Sequence, residues 1–234
     1  MTETAISIEG GRVRGGRVRQ EDAWGFGEVP GGVWALVADG MGGHQAGDQA
    51  SGAAADAIGQ HCLDTTAPIA DMERWLITGV KAAHRAVEAL AGPLPTSDAP
   101  GTTLLWAVTQ GNRCWFAHVG DSRAYLVRGD QVGPLTTDMT PAGQRVRDGH
   151  KPWDHQNTAR DAHILLSCLG HPPMAMEVFP VDWEPGDTVI LTTDGLNGVP
   201  LMRWPQLVRN RSVTDILNLH PWSDNATLVL LHRP

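Results

Sequence analysis

Five short stretches of the chain set carboxylates at the edge of an apolar run. Asp39 closes "VWALVADG", Asp121 follows a run in "HVGDSRAY", Asp194 ends one in "LTTDG", Asp224 opens "DNATLVLL", and Glu21 and Asp22 form a pair in "RVRQEDAW". Taken singly, each is the ordinary acid of a turn at a strand end. Repetition of the device suggests that the acids gather. Carboxylates brought together repel each other and lose hydration, so they need positive charge to coexist. Mg²⁺ or Mn²⁺ with oxygen ligands answers that need, and no histidine or cysteine cluster accompanies these acids. Gly40 would let a backbone carbonyl approach such an ion. The stretch "DGMGGHQAG" from Asp39 to Gly47 then reads as a ledge cleared of bulk.

Short apolar strands must carry these acids. Strands are expected at 33–38, 102–109, 113–119, 123–128, 176–183, 187–193 and 225–232. Gln110-Gly111-Asn112 and Gly129-Asp130 read as hairpin turns, which implies antiparallel pairing. Helical spacing of apolar residues appears over 46–62 and 71–91, the first with a small-residue stripe suited to close packing on a sheet. Residues 92–101 and much of 138–162 read as loop, the latter with a short helical stretch. The pattern predicts an α+β sandwich with helices covering the sheets.

Bulk properties narrow the function. A chain of 234 residues fits a single domain, and a net charge of −8 argues against a nucleic-acid or anionic-membrane surface. Cys62, Cys114 and Cys168 are odd in number and far apart, supporting neither a disulfide framework nor a zinc site. No apolar stretch is long enough to span a bilayer and the N-terminus does not resemble a signal peptide, so a cytoplasmic location is expected.

In order along the chain, "RVRQEDA", "VADGMGGHQAG", "GTTLL", "HVGDSRAYL", "LTTDGL" and "DNATLVLL" resemble the motifs of the type 2C, metal-dependent protein Ser/Thr phosphatases, bacterial single-domain type. The resemblance covers residues 12 to 232 and implies a central sandwich of two antiparallel sheets flanked by helices, residues 1–234 forming one catalytic domain. It also implies two Mn²⁺ or Mg²⁺ ions at one end of the sandwich. Carried over by position, Asp39 resembles the carboxylate that bridges the ions, Gly40 offers its carbonyl, and Asp194 and Asp224 complete the ligand set. Glu21 and Asp22 match the pair that holds metal-bound waters, and Asp121 the acid for a third, weaker ion. Arg17 stands where the family grips the substrate phosphate, a role suited to its planar fork.

The implied chemistry is hydrolysis of phosphoserine and phosphothreonine by a water activated between the ions. His44 and His118 are candidate proton donors to the leaving group. A phosphorylated protein is the expected substrate, and a cognate Ser/Thr kinase the expected opposing partner. Departures from the family fall elsewhere. Ser167 replaces an arginine, "TDMTPAG" lacks the usual Asp-His-Ser, and Pro205 and Pro221 interrupt a stretch that reads as too short for a full helix pair. Trp153, in the expected flap, is the tryptophan placed to meet substrate. The rival readings are a pseudophosphatase that binds phosphoproteins without turnover and a two-metal nuclease, the latter opposed by the missing basic groove.

Overall fold

A computed structural model of the chain describes residues 5–41, 46–92 and 99–234. Two antiparallel sheets are stacked. The first contains β1 (Ser7–Val13), β11 (Ala226–His232), β10 (Thr188–Thr192), β7 (Arg123–Arg128) and β8 (Gln131–Pro134), in that spatial order. The second runs β2 (Asp22–Val29), β3 (Gly32–Met41), β5 (Leu104–Gln110), β6 (Arg113–Val119) and β9 (Glu177–Asp182), with the two-residue β4 (Gly101–Thr102) paired to the end of β3.

Strand alternation explains the layers, because successive side chains point to opposite faces. Ala35, Val37, Leu105 and Ala107 face Val189, Leu191, Val229 and Leu231 to form the seam between the sheets. Their neighbours Leu36, Trp106 and Val108 face outward and meet Ala50, Ala54 and Ile58 of α1 (Gly47–Leu63) and Leu76, Val80 and Ala83 of α2 (Met72–Glu88). On the other outer face Ile190, Leu228 and Leu230 meet α4 (Trp204–Asn210) and α5 (Val213–Leu217). The architecture is therefore helix, sheet, sheet, helix, as the pattern predicts.

Three strands, β1, β2 and β8, lie outside the expected set, and β1 and β2 share a cause. Both are rich in glycine, which reads as turn. The glycines instead make room for tryptophan: a Cβ on Gly10 would stand 2.4 Å from the Trp24 ring, and one on Gly27 2.9 Å from Trp34. The stretch read as too short for a helix pair does form one, of 7 and 5 residues. Pro205 lies in the first turn of α4, where its missing N–H leaves no helical bond unmade, and Ser212 and Asp215 cap α5 reciprocally. Residues 138–162 contain α3 (Pro141–Arg147) and a short 3₁₀ turn over Trp153–Asn157. Among the described residues no helix is long and apolar enough to cross a membrane.

Candidate metal centre and active site

The strand-end acids reach one end of the sandwich from both sheets. Glu21 and Asp22 enter β2, and Asp22 lies directly opposite Asp39 of β3 in the ladder. Asp121 stands between β6 and β7 where the chain passes from one sheet to the other, and Gly120 takes φ +102° to make that crossing. Asp194 follows β10 and Asp224 precedes β11. Glu21, Asp39, Gly40, Asp121, Asp194 and Asp224 line a cleft of about 420 Å³, with Arg17 in the same wall.

The sequence fixes the ledge around Asp39 through its neighbours. The Asp39 N–H donates to Thr103 Oγ1 at 2.9 Å, while the Asp39 carbonyl accepts from the Thr103 N–H and the Thr102 hydroxyl, each at 2.9 Å. Thr103 is in turn paired with Ser122 at 2.8 Å. The "GTT" and "GDS" motifs thus brace the acid ledge. Gly40 admits no side chain, since a Cβ there would meet the Gly47 carbonyl oxygen at 2.0 Å.

Asn225 braces the other wall, a role that its place in "DNAT" alone did not disclose. Its side-chain oxygen accepts from the Glu21 N–H at 2.7 Å, and its amide donates to the carbonyls of Arg14 and Arg19, both at 2.8 Å. The loop carrying Arg17 is thereby pinned beside the acids. The Arg17 guanidinium pairs with Asp224 at 2.5 Å.

Electrostatics separate these acids from ordinary turn residues. Burial, together with the charges of Asp194, Asp22 and Asp121, pushes the Asp39 carboxyl well above its usual range. Burial and Asp194 do the same to Asp121, and burial raises Asp194 as well. The Asp39 and Asp194 carboxyls act on each other directly, Asp194 raising Asp39. Asp22 does not line the cleft but lies buried behind it. One of its oxygens accepts from Thr193 and Thr227 at 2.8 and 2.6 Å, the other has no partner, and burial pushes its carboxyl up to about 6.

This donor set fits divalent cations. It is all oxygen, its charges are mutually destabilising, and one buried carboxylate oxygen is unpartnered. Among the described residues no three acidic, histidine or cysteine side chains form a ready-made ion cage, so the acids line an open cleft.

Other expected participants are elsewhere. His44 lies outside the described residues. His118 is fully buried on β6, its nearest charged partner Glu177 at 3.7 Å, and is not on the cleft wall. Trp153 is half-buried, with the Arg123 guanidinium 5.0 Å from its ring centre and its indole N–H donating to the Thr136 carbonyl. It does not reach the cleft. Sequence reasoning missed His163, Leu165, Met41 and Thr103, which do line it. His163 and Leu165 come from a segment without periodicity, which offered no signal.

The departures from the family pattern have structural answers. Within "TDMTPAG", Asp138 forms a buried bidentate pair with Arg123 at 2.8 and 2.6 Å, and Thr140 caps α3. The Ser167 hydroxyl donates to the Ala175 carbonyl and accepts from the Ala175 N–H, so it locks a loop and does not face substrate.

The model of the family described as Protein phosphatase 2C matches residues 11–221. The chain belongs to the protein phosphatase 2C family. Across 210 residues it is 30% identical to the serine/threonine phosphatase stp of Listeria innocua, covering 85% of this chain and 83% of that one. Its fold is similar to the crystal structure of the Mycobacterium tuberculosis serine/threonine phosphatase PstP/Ppp, with TM-score 0.85, 26% identity and coverage of 98% and 99% of the two chains. A PstP catalytic domain solved in complex with two manganese ions superposes with TM-score 0.81 at 27% identity, over 97% of each chain.

Proposed function

We propose that this protein Ser/Thr phosphatase hydrolyses phosphoserine and phosphothreonine in proteins at the acid-lined cleft, releasing the alcohol and inorganic phosphate at the expense of one water. The observation that carries this reading is the convergence of acids from both sheets on a cleft that also holds Arg17. Asp39, the Gly40 carbonyl, Asp194 and Asp224 would hold two divalent cations, Mn²⁺ or Mg²⁺. Glu21 and Asp22 would bind the hydration around them, and Asp121 would take a third, weaker ion. Such ions supply charge that stabilises crowded carboxylates and polarises water and phosphoryl oxygen.

The chain's own residues do the rest. Arg17 offers two parallel donors to phosphoryl oxygens, and its present partner Asp224 keeps it over the cleft. Asp39 and Asp194 are both raised, and a carboxyl must lose its proton before it can serve a cation, so cation affinity should fall in acid. A covalent route through cysteine has no support. All three thiols are buried, and burial pushes Cys62 up to about 12 and Cys168 up to about 11. We read the chain as one catalytic domain acting in the cytoplasm against a Ser/Thr kinase, extending the family relationship to this protein.

The test is hydrolysis of p-nitrophenyl phosphate. EDTA should abolish it, Mn²⁺ should restore it, and Ca²⁺, larger and looser in its geometry, should support little turnover. Full activity in excess chelator would refute the cation assignment.

A further inference from the structure

Large apolar side chains left in water are ordinary when scattered and informative when they border a site. Among the described residues, half of those exposed, Val18, Met41, Ile164 and Leu166, belong to the cleft wall or adjoin it in sequence. Met41 lines the cleft directly and follows Gly40. Val18 follows Arg17 and is 89% exposed. Ile164 and Leu166, 48% and 56% exposed, flank Leu165, which lines the cleft.

The segment that presents them is anchored on both sides. The Leu166 N–H donates to the Met139 carbonyl at 2.8 Å, and the Ile164 N–H to the Asp161 carbonyl at 3.3 Å. Asp161 is held by both terminal nitrogens of Arg145 on α3, at 2.6 and 3.0 Å. Ser167 ties the far side to Ala175. Apolar side chains on fixed backbone form a ready surface, and little ordering is needed when a partner covers them.

We infer that Ile164, Leu165 and Leu166, with Met41 and Val18, select phosphorylated segments in which a residue adjacent to the phosphoserine or phosphothreonine is apolar. The inference rests on the phosphatase reading of the cleft and adds a substrate class to it. The phosphorylated side chain enters the cleft toward Arg17, and its neighbours in an extended peptide must then lie on the cleft mouth. Charge points the same way. Cations held in the cleft would offset its carboxylates, but the chain, at −8 before they bind, stays net negative, so an acidic neighbour outside the cleft gains no attraction. An apolar neighbour meets Ile164 and Leu166 and removes their surface from water.

The experiment is a panel of phosphothreonine peptides differing only in the residues immediately before and after the phosphothreonine: Leu, Ala or Glu. With Mn²⁺ present, a Leu peptide should exceed its Ala counterpart about fivefold in kcat/KM, mainly through KM, and Glu peptides should fall below both. In the double variant Ile164→Ser, Leu166→Ser the Leu-to-Ala ratio should fall toward one. A ratio within one preparation cancels any misfolded fraction, and Ile164→Ala alone is read the same way if the double variant does not fold. A wild-type ratio near one, or a ratio unchanged in the variants, overturns the inference. So does sedimentation showing a dimer that the double variant dissociates while peptide selectivity persists, because the surface then belongs to a second copy of the chain. Phosphate released equally from all peptides leaves the phosphatase reading standing and this inference refuted. No release from any peptide or from p-nitrophenyl phosphate overturns both.

Discussion

Asp39 and Leu165 line the same cleft, yet they are held there by different means. Asp39 sits in a ladder, opposite Asp22 and braced by Thr102 and Thr103, so its position follows from strand register. Leu165 sits in an irregular segment positioned by side chains: the Arg123–Asp138 pair, the Arg145–Asp161 fork and the Ser167 lock. A ladder is cooperative, and a one-residue slip would turn every side chain in it to the wrong face. A segment held by separate side-chain bonds can change one bond at a time. Chemistry that needs charges fixed against each other lies on the first kind of support, and contact with a varied substrate on the second.

The largest expected effect tests the ladder side. Asp39→Asn should lower kcat/KM at least about a thousandfold, since an amide cannot serve cations as a carboxylate does. The same substitution removes a charge repelled by Asp194, Asp22 and Asp121. In EDTA the variant should therefore melt at a higher temperature than the wild type, activity and stability moving in opposite directions. A variant that loses activity and also melts lower in EDTA would show that the acids are not in mutual conflict.

Next in size is the flap side. Arg123 and Asp138 are each about 1% exposed, so Asp138→Asn would leave a buried guanidinium without its charge partner. Breaking such a pair from one side costs about 3–5 kcal/mol. The Asn157 and Trp153 contacts of Arg123 do not supply the missing charge. Urea denaturation in EDTA measures the loss. A change below about 1 kcal/mol would mean that the flap is not anchored through this pair.

The same division decided what could be read from sequence. Acids at the ends of apolar runs were legible because a short apolar run locates a buried strand, and its end locates the acid. Helices α1 and α2 were legible from spacing for the same reason. β1 and β2 were not, because Gly10, Gly25 and Gly27 signal turn until Trp24 and Trp34 are seen packing over them. His163 and Leu165 reach the cleft through scattered bonds, most of them between residues well apart in sequence, which leave no local pattern. His118 and Trp153 were misplaced by position alone. Both lie near the right motifs, but His118 is fully buried, and Trp153 packs against Arg123 and Thr136 away from the cleft wall.

The smallest predicted effect concerns pH and sharpens the contrast between the two supports. Burial holds the Asp22 carboxyl at about 6, above its ordinary 3.8, and Asp39, Asp121 and Asp194 are raised as well. A carboxyl raised in the folded state binds more protons there than in the unfolded chain across that window, so stability falls as pH rises through it. For Asp22 the loss between about pH 4 and 6 is on the order of 2–3 kcal/mol. Asp161, held by Arg145 on the flap side, is lowered instead, and its contribution is lost as pH falls below the ordinary carboxylate range. In EDTA the chain should thus be most stable in mild acid, near pH 4.5, and melt lower at pH 7.5. Mn²⁺ binds the deprotonated acids, so saturating Mn²⁺ should raise the melting temperature at pH 7.5 far more than at pH 4.5. Asp22→Asn should flatten the acid-to-neutral slope in EDTA, because the amide has no proton to lose. Melting curves that are level or rising between pH 4.5 and 7 in EDTA would show that the acids at the strand ends are already compensated by the chain itself, and the case for cations there would lose its physical basis.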